Sequence, residues 1–111
     1  STWFAQRSIE GLAYLMERLA STQEGSATLM DNVLVHAHSD TSIAKVHSID
    51  EMPVLTLGRA GGTMRSGLHI REDGAPVSKT VLTAMHAMGV KAGSFGTKSL
   101  EATQPISGVL V

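Results

Sequence analysis

Apolar residues at Ala5, Ile9, Leu12, Met16 and Leu19 recur at alternating steps of four and three, while Gln6, Arg7, Glu10 and Arg18 fall elsewhere. That spacing lines one face of a helix and predicts one over residues 3–22. Ser1 or Thr2 is placed to cap its start, and Gly25 to end it in the left-handed conformation. The stripe is expected to pack against a core.

The period then changes. After the turn pair Asp31-Asn32, the run Val33-Leu34-Val35 reads as a buried strand. Alternation from there sets Leu34, His36 and His38 on one face and Val33, Val35 and Ala37 on the other, until Ser39-Asp40-Thr41-Ser42 breaks it. A second strand, Val54-Leu55-Thr56-Leu57, follows Pro53 and stops at Gly58. The connector over residues 39–52 is longer than the usual ~4–6 residues, and long connectors in small domains often carry function.

A glycine-rich turn, Arg59-Ala60-Gly61-Gly62-Thr63-Met64-Arg65-Ser66-Gly67, leads to a predicted short strand over Leu68-His69-Ile70-Arg71. Beyond Asp73-Gly74-Ala75-Pro76, apolar Val77, Val81, Leu82, Met85 and Met88 predict a second amphipathic helix, closed by Gly89 and Val90. Residues 91–111 are rich in glycine, serine and threonine, and irregular structure that docks on the domain or on a partner is expected there. The order gives an α/β class with about three strands and two amphipathic helices. So small a sheet does not cover itself, which predicts further sequence or a neighbouring chain.

Composition narrows the partners. Nine basic against ten acidic side chains leave a formal charge of -1, too weak a field to gather nucleic acid or anionic lipid. No apolar run approaches the ~20 residues of a membrane span, so membrane insertion is not expected. Without cysteine there are no disulfides, thiolate zinc sites or cysteine nucleophile. The start Ser1-Thr2-Trp3-Phe4 has no initiator Met, and removal of preceding residues by processing or truncation is expected.

Candidate chemistry gathers where the first main strand ends, the place where open α/β sheets bind ligands. His36, His38, Asp40, His47 and His69 are ordinary ligand types for zinc, iron or manganese. His36 and His38 can project the same way from a strand, as two ligands of one ion must; the alternative is a surface or hydrogen-bonded histidine. For Asp40 with His47 the alternative is a bond that orders the loop. Arg59, Arg65 and Arg71 flank the glycine turn, where a guanidinium fork can hold an anion; the alternative is that they pair with carboxylates or stay solvated. Gly61-Gly62 is no phosphate loop, because no Lys-Ser or Lys-Thr follows. Met16, Met85 and Met88 lie on the helix stripes and are read as core, and His86 as a helix-boundary residue.

The runs Thr28-Leu29-Met30-Asp31-Asn32-Val33-Leu34-Val35, Met52-Pro53-Val54-Leu55, Gly61-Gly62, Ser66-Gly67-Leu68-His69-Ile70-Arg71, Met88-Gly89-Val90 and Phe95-Gly96 together carry a resemblance. The chain resembles the end of a bacterial domain family of unknown function, typically exported by a twin-arginine signal and related to the alkaline phosphatase and sulfatase superfamily. In that family a serine–acid pair follows the first strand, matched by Ser39-Asp40, although the acid is more often glutamate. Two histidines separated by one residue come next; His47 matches the first, and Ile49 stands at the second. His69 falls where the family's glycine turn leads into a histidine.

The resemblance implies that residues 1–96 form the C-terminal segment of an alkaline-phosphatase-like α/β domain, with 97–111 an irregular tail. It implies a phosphate- or sulfate-ester hydrolase that uses divalent metal (zinc, iron, manganese or calcium) and an exported, periplasmic location. Cations neutralise the ester's oxygens and activate the nucleophile. The superfamily's nucleophile lies in the N-terminal half, so this chain alone is expected not to complete a turnover. Its partners would be that missing portion or other protein chains. The alternative is a non-catalytic accessory or binding subunit on the same scaffold.

Overall fold

In a computed structural model, which describes residues 2–39 and 53–111, the predicted first helix forms as α1, Thr2–Ser21. Its last turn is closed from within: the hydroxyls of Ser21 and Thr22 donate to the Arg18 carbonyl, at 3.3 and 2.6 Å. Gly25 does not end the helix. With φ at 62° it opens the two-residue turn between strands β1, Gln23–Glu24, and β2, Ala27–Thr28. A left-handed first position is where glycine serves such hairpin turns.

Asp31-Asn32 lies not in a turn but in a single helical turn, α2, Leu29–Asn32. Asp31 Oδ2 accepts from the Thr28 backbone N–H at 2.9 Å and from the Thr28 hydroxyl at 3.2 Å. The charge that Thr28 thereby stabilises holds the Asp31 carboxyl below its ordinary 3.8, first through the backbone bond and then through the hydroxyl. Asn32 Nδ2 donates to Glu24 Oε1 at 2.7 Å and ties α2 to the hairpin.

Strands β3, Val35–His38, and β4, Val54–Leu57, pair antiparallel, with Val35 opposite Leu57, His36 opposite Thr56, Ala37 opposite Leu55 and His38 opposite Val54. Beyond β4 the chain turns at Gly58, whose φ is 96°. A Cβ built there would collide with the Val33 carbonyl, so glycine is required by space as well as by conformation. The turn lets Arg59 N donate to Met30 O (3.0 Å) and Ala60 N to Val33 O (2.9 Å), which seats the 3-10 turn Ala60–Gly62 on α2.

The second predicted helix forms as α3, Ser78–Ala87. Gly89 (φ 90°) reverses the chain, and the Val90 N–H reaches back to Met85 O at 2.8 Å while Gly89 N donates to His86 O at 3.1 Å. This is the glycine-ended closure that the Gly89-Val90 pair predicts.

The core sits between α3, the 60–64 turn and the C-terminal tail. Ala60, Met64, Ala87 and Val109 form its buried cluster, with Leu34, Ile106 and Leu110 packed against it, and Leu82 is fully buried. The tail docks by backbone pairing: Arg65 N donates to Val109 O and Val111 N to Thr63 O, both at 2.9 Å. Buried Thr83 donates to Lys79 O at 2.7 Å and accepts from Ile106 N at 2.8 Å. Ser78 donates to the Leu100 carbonyl.

Among the described residues the molecule is thus mixed helix and strand, with two two-stranded antiparallel sheets and not one sheet of about three strands. The predicted strand over residues 68–71 is absent. A strand needs a ladder of partners, and this segment lies exposed at Leu68 and Ile70 with no neighbouring strand bonded to it. The stripe of α1 is not core either. No residue of α1 is buried; along the stripe Ile9 (55%) and Met16 (37%) stand open to solvent, while Leu12 and Leu19 are half-buried. Met88 is exposed as well, and among the described residues Met64 is the methionine that the core takes in. The radius of gyration, 15.1 Å, exceeds the ~13 Å of a compact chain near this length, and the extents of 44 × 39 × 19 Å describe a slab.

Candidate functional site

The β3–β4 register places His36 and His38 on one face with Thr56 and Val54. The rings meet edge to face, with centroids 5.4 Å apart and planes at 72°. That shared face follows from the two-residue strand period.

Hydrogen bonds engage a nitrogen of each ring. The Thr80 hydroxyl lies 2.7 Å from Val77 O and 2.9 Å from His36 Nε2, and the tautomer with the proton on Nε2 lets it donate to the first and accept from the second. For His38, Nδ1 lies 2.8 Å from the Ser39 carbonyl, which can only accept; its lone pair is on Nε2. A histidine held through Nδ1–H to a carbonyl is the arrangement that orients imidazole as a ligand.

Burial lowers the His36 pKa below the ordinary 6.5, the neighbouring His38 acts the same way, and a bond to its own backbone opposes them. His36 is accordingly neutral at pH 7 and has a lone pair to offer. The two rings have the donor chemistry of a transition-metal site. Among the described residues, however, no group of three or more histidine or acidic side chains comes together, and a catalytic zinc takes three protein ligands. Asp40 and His47 lie outside the described residues.

His69 lies on the segment that lines a cleft of about 480 Å³ with β4, α3 and the tail. Thr56 and Thr80, the neighbours of His36, belong to the same cleft. Of the three arginines only Arg65 lines it. Arg71 Nε pairs with Asp73 Oδ1 at 2.7 Å, and Arg59 lies 4.0 Å from Asp31 Oδ1. The three do not converge on one anion. His86, at the end of α3, donates from Nε2 to Ala92 O at 2.7 Å, a helix-boundary role.

Sequence reasoning missed Thr80, which bonds His36, and the tail residues Ile106 and Val109, which wall the cleft. Thr80 shows a local signal only as a hydroxyl near a helix start, with nothing pointing to a strand far back in the chain. Comparison with protein-family models, curated proteins and solved structures finds no match.

Proposed function

We propose that this chain is the C-terminal segment of a larger alkaline-phosphatase-like α/β protein, a metal-dependent phosphate- or sulfate-ester hydrolase that this segment does not complete alone. The observation that carries the reading is α1: a twenty-residue amphipathic helix with no buried residue, on a slab whose core lies elsewhere. An apolar face of that extent is a surface made to be covered. The N-terminal half of such a domain is the cover that the resemblance supplies.

His36 and His38 would contribute imidazole lone pairs to the metal, with Asp40, His47 and His69 as further ligands. The metal would be zinc, iron, manganese or calcium, and the setting periplasmic or otherwise exported. Mass spectrometry of the protein from its native source tests the assembly: a longer precursor is expected, and a mature 111-residue chain with no associated partner would remove the reading. Metal analysis of the full-length protein tests the site. Stoichiometric metal is expected, lost in His47→Ala.

A second reading, a non-catalytic accessory subunit, is favoured by the pair of histidines standing without a third ligand among the described residues and by Ile49 at a family ligand position. Size-exclusion separates it from a free-standing protein: a monodisperse monomer would count against any partner. No helix among the described residues is long and apolar enough to cross a membrane.

A further inference from the structure

The cleft between β4, residues 64–77, α3 and the tail encloses about 480 Å³, within the ~300–1,000 Å³ typical of small-molecule sites. Val54, Met64, Leu68, Ile70, Ile106 and Val109 supply its apolar lining. Of its polar groups Glu72, Lys79, Thr80 and Thr83 are already engaged, while Thr56, Ser66, His69 and Arg65 hold no side-chain partner among the described residues. Lys79 Nζ is held by Glu72 Oε1 at 2.7 Å, with both side chains largely covered. The Thr80 hydroxyl bonds Val77 O and His36; the Thr83 hydroxyl donates to Lys79 O and accepts from Ile106 N.

Arg65 differs from these. Its guanidinium has no ion pair among the described residues, while its backbone is fixed: Arg65 N donates to Val109 O, and the adjacent Met64 is buried and bridged to Leu110. A positive charge thus stands on a rigid support at an apolar cleft, and His69 lines the same cleft as a further polar group. The wall beside Arg65 is apolar at Leu68, Ile70 and Val109, so a polar body laid against it would leave its groups unpaired. A molecule with one anionic group and an apolar body leaves none.

We infer that this cleft binds an amphipathic monoanion, with its charged group on Arg65 and its apolar body against Leu68, Ile70 and Val109. The site needs neither a metal nor a partner chain, so it stands or falls separately from the proposed hydrolase segment.

Calorimetric titration of the full chain with octanoate, octanol and acetate tests it. Octanoate is expected to bind at least about tenfold more tightly than octanol, and acetate not measurably. Arg65→Gln should bring octanoate to the level of octanol and leave octanol unchanged, whereas Ile70→Ser should weaken both. Ile9→Asn, on the exposed face of α1, should change neither. Equal binding of octanoate and octanol, an unchanged octanoate affinity in Arg65→Gln, or loss of binding in Ile9→Asn would each overturn the assignment.

Discussion

His36 Nε2 and the hydroxyl of Thr80 meet across 2.9 Å, and that hydroxyl also bonds Val77 O, so one threonine joins β3 to the first turn of α3. With the proton on Nε2, replacing Thr80 by valine removes the acceptor and leaves a part-buried N–H unmet. The expected cost is about 0.5–1.5 kcal/mol in urea unfolding. Nitrogen chemical shifts of the His36 ring should move from a single Nε2–H tautomer to a mixture, and Thr80→Ser should restore the wild-type pattern.

Acidification should weaken the fold through the same ring. His36 titrates below 6.5 in the native state and near 6.5 when unfolded. Above 6.5 both states are neutral and the contribution is complete. As pH falls from 6.5 through the lower native value, the unfolded chain takes up the proton first and stability is lost. The stability–pH curve of His36→Gln should be flatter in that window; an identical slope in the two proteins would contradict the assignment.

Gly58→Ala should destabilise by about 1–3 kcal/mol, because the φ of 96° and the Val33 carbonyl both oppose a side chain. Gly61 makes the comparison. It is also left-handed, at 72°, but a Cβ there meets no atom within 4 Å, so Gly61→Ala should cost less. Thermal unfolding of the two variants gives the order.

Thr83→Val should loosen the tail. The Ile106 N–H would lose its acceptor, the hydroxyl of a residue only 3% exposed, a loss of about 1–3 kcal/mol. Hydrogen exchange should quicken at Ile106 and at the paired Arg65 and Val111 amides before it quickens in α1.

Two apolar substitutions separate core from interface. Leu82→Ala, at a fully buried site, should cost about 2–5 kcal/mol. Ile9→Asn lies on a face that the chain itself does not cover, so its stability should change little while self-association or partner binding falls. Sedimentation and chemical unfolding, read together, distinguish the two effects.

Element types were legible along α1, β4 and α3, where a period repeats over several residues. Val77, Val81, Met85 and Met88 mark α3, and Gly89-Val90 marks its end; Val54 to Leu57 mark β4. The common face of His36 and His38 follows from the strand period alone. Direction and partner do not: an alternation of two says which side a residue faces, not which segment pairs with it, and Leu68 to Arg71 alternates without a partner. The stripe of α1 says that a cover is needed and not that this chain supplies it. Thr80 and Val109 reach the site through contacts distant in sequence, for which no local pattern exists. The Thr28–Asp31 bonds did leave a signal, a hydroxyl three residues ahead of an acid at a helix start.

The pairing of Met64 with Leu110 and of Arg65 with Val109 has a consequence for biosynthesis. Ala60, Met64 and Ala87 leave the ribosome well before the residues that wall them in, so the hydrophobic centre stays open until translation has reached Val109. During that interval α1 is already out with its apolar stripe bare. Nascent chains halted short of Gly108 are therefore expected to bind holding chaperones, and release should coincide with emergence of residues 106–111.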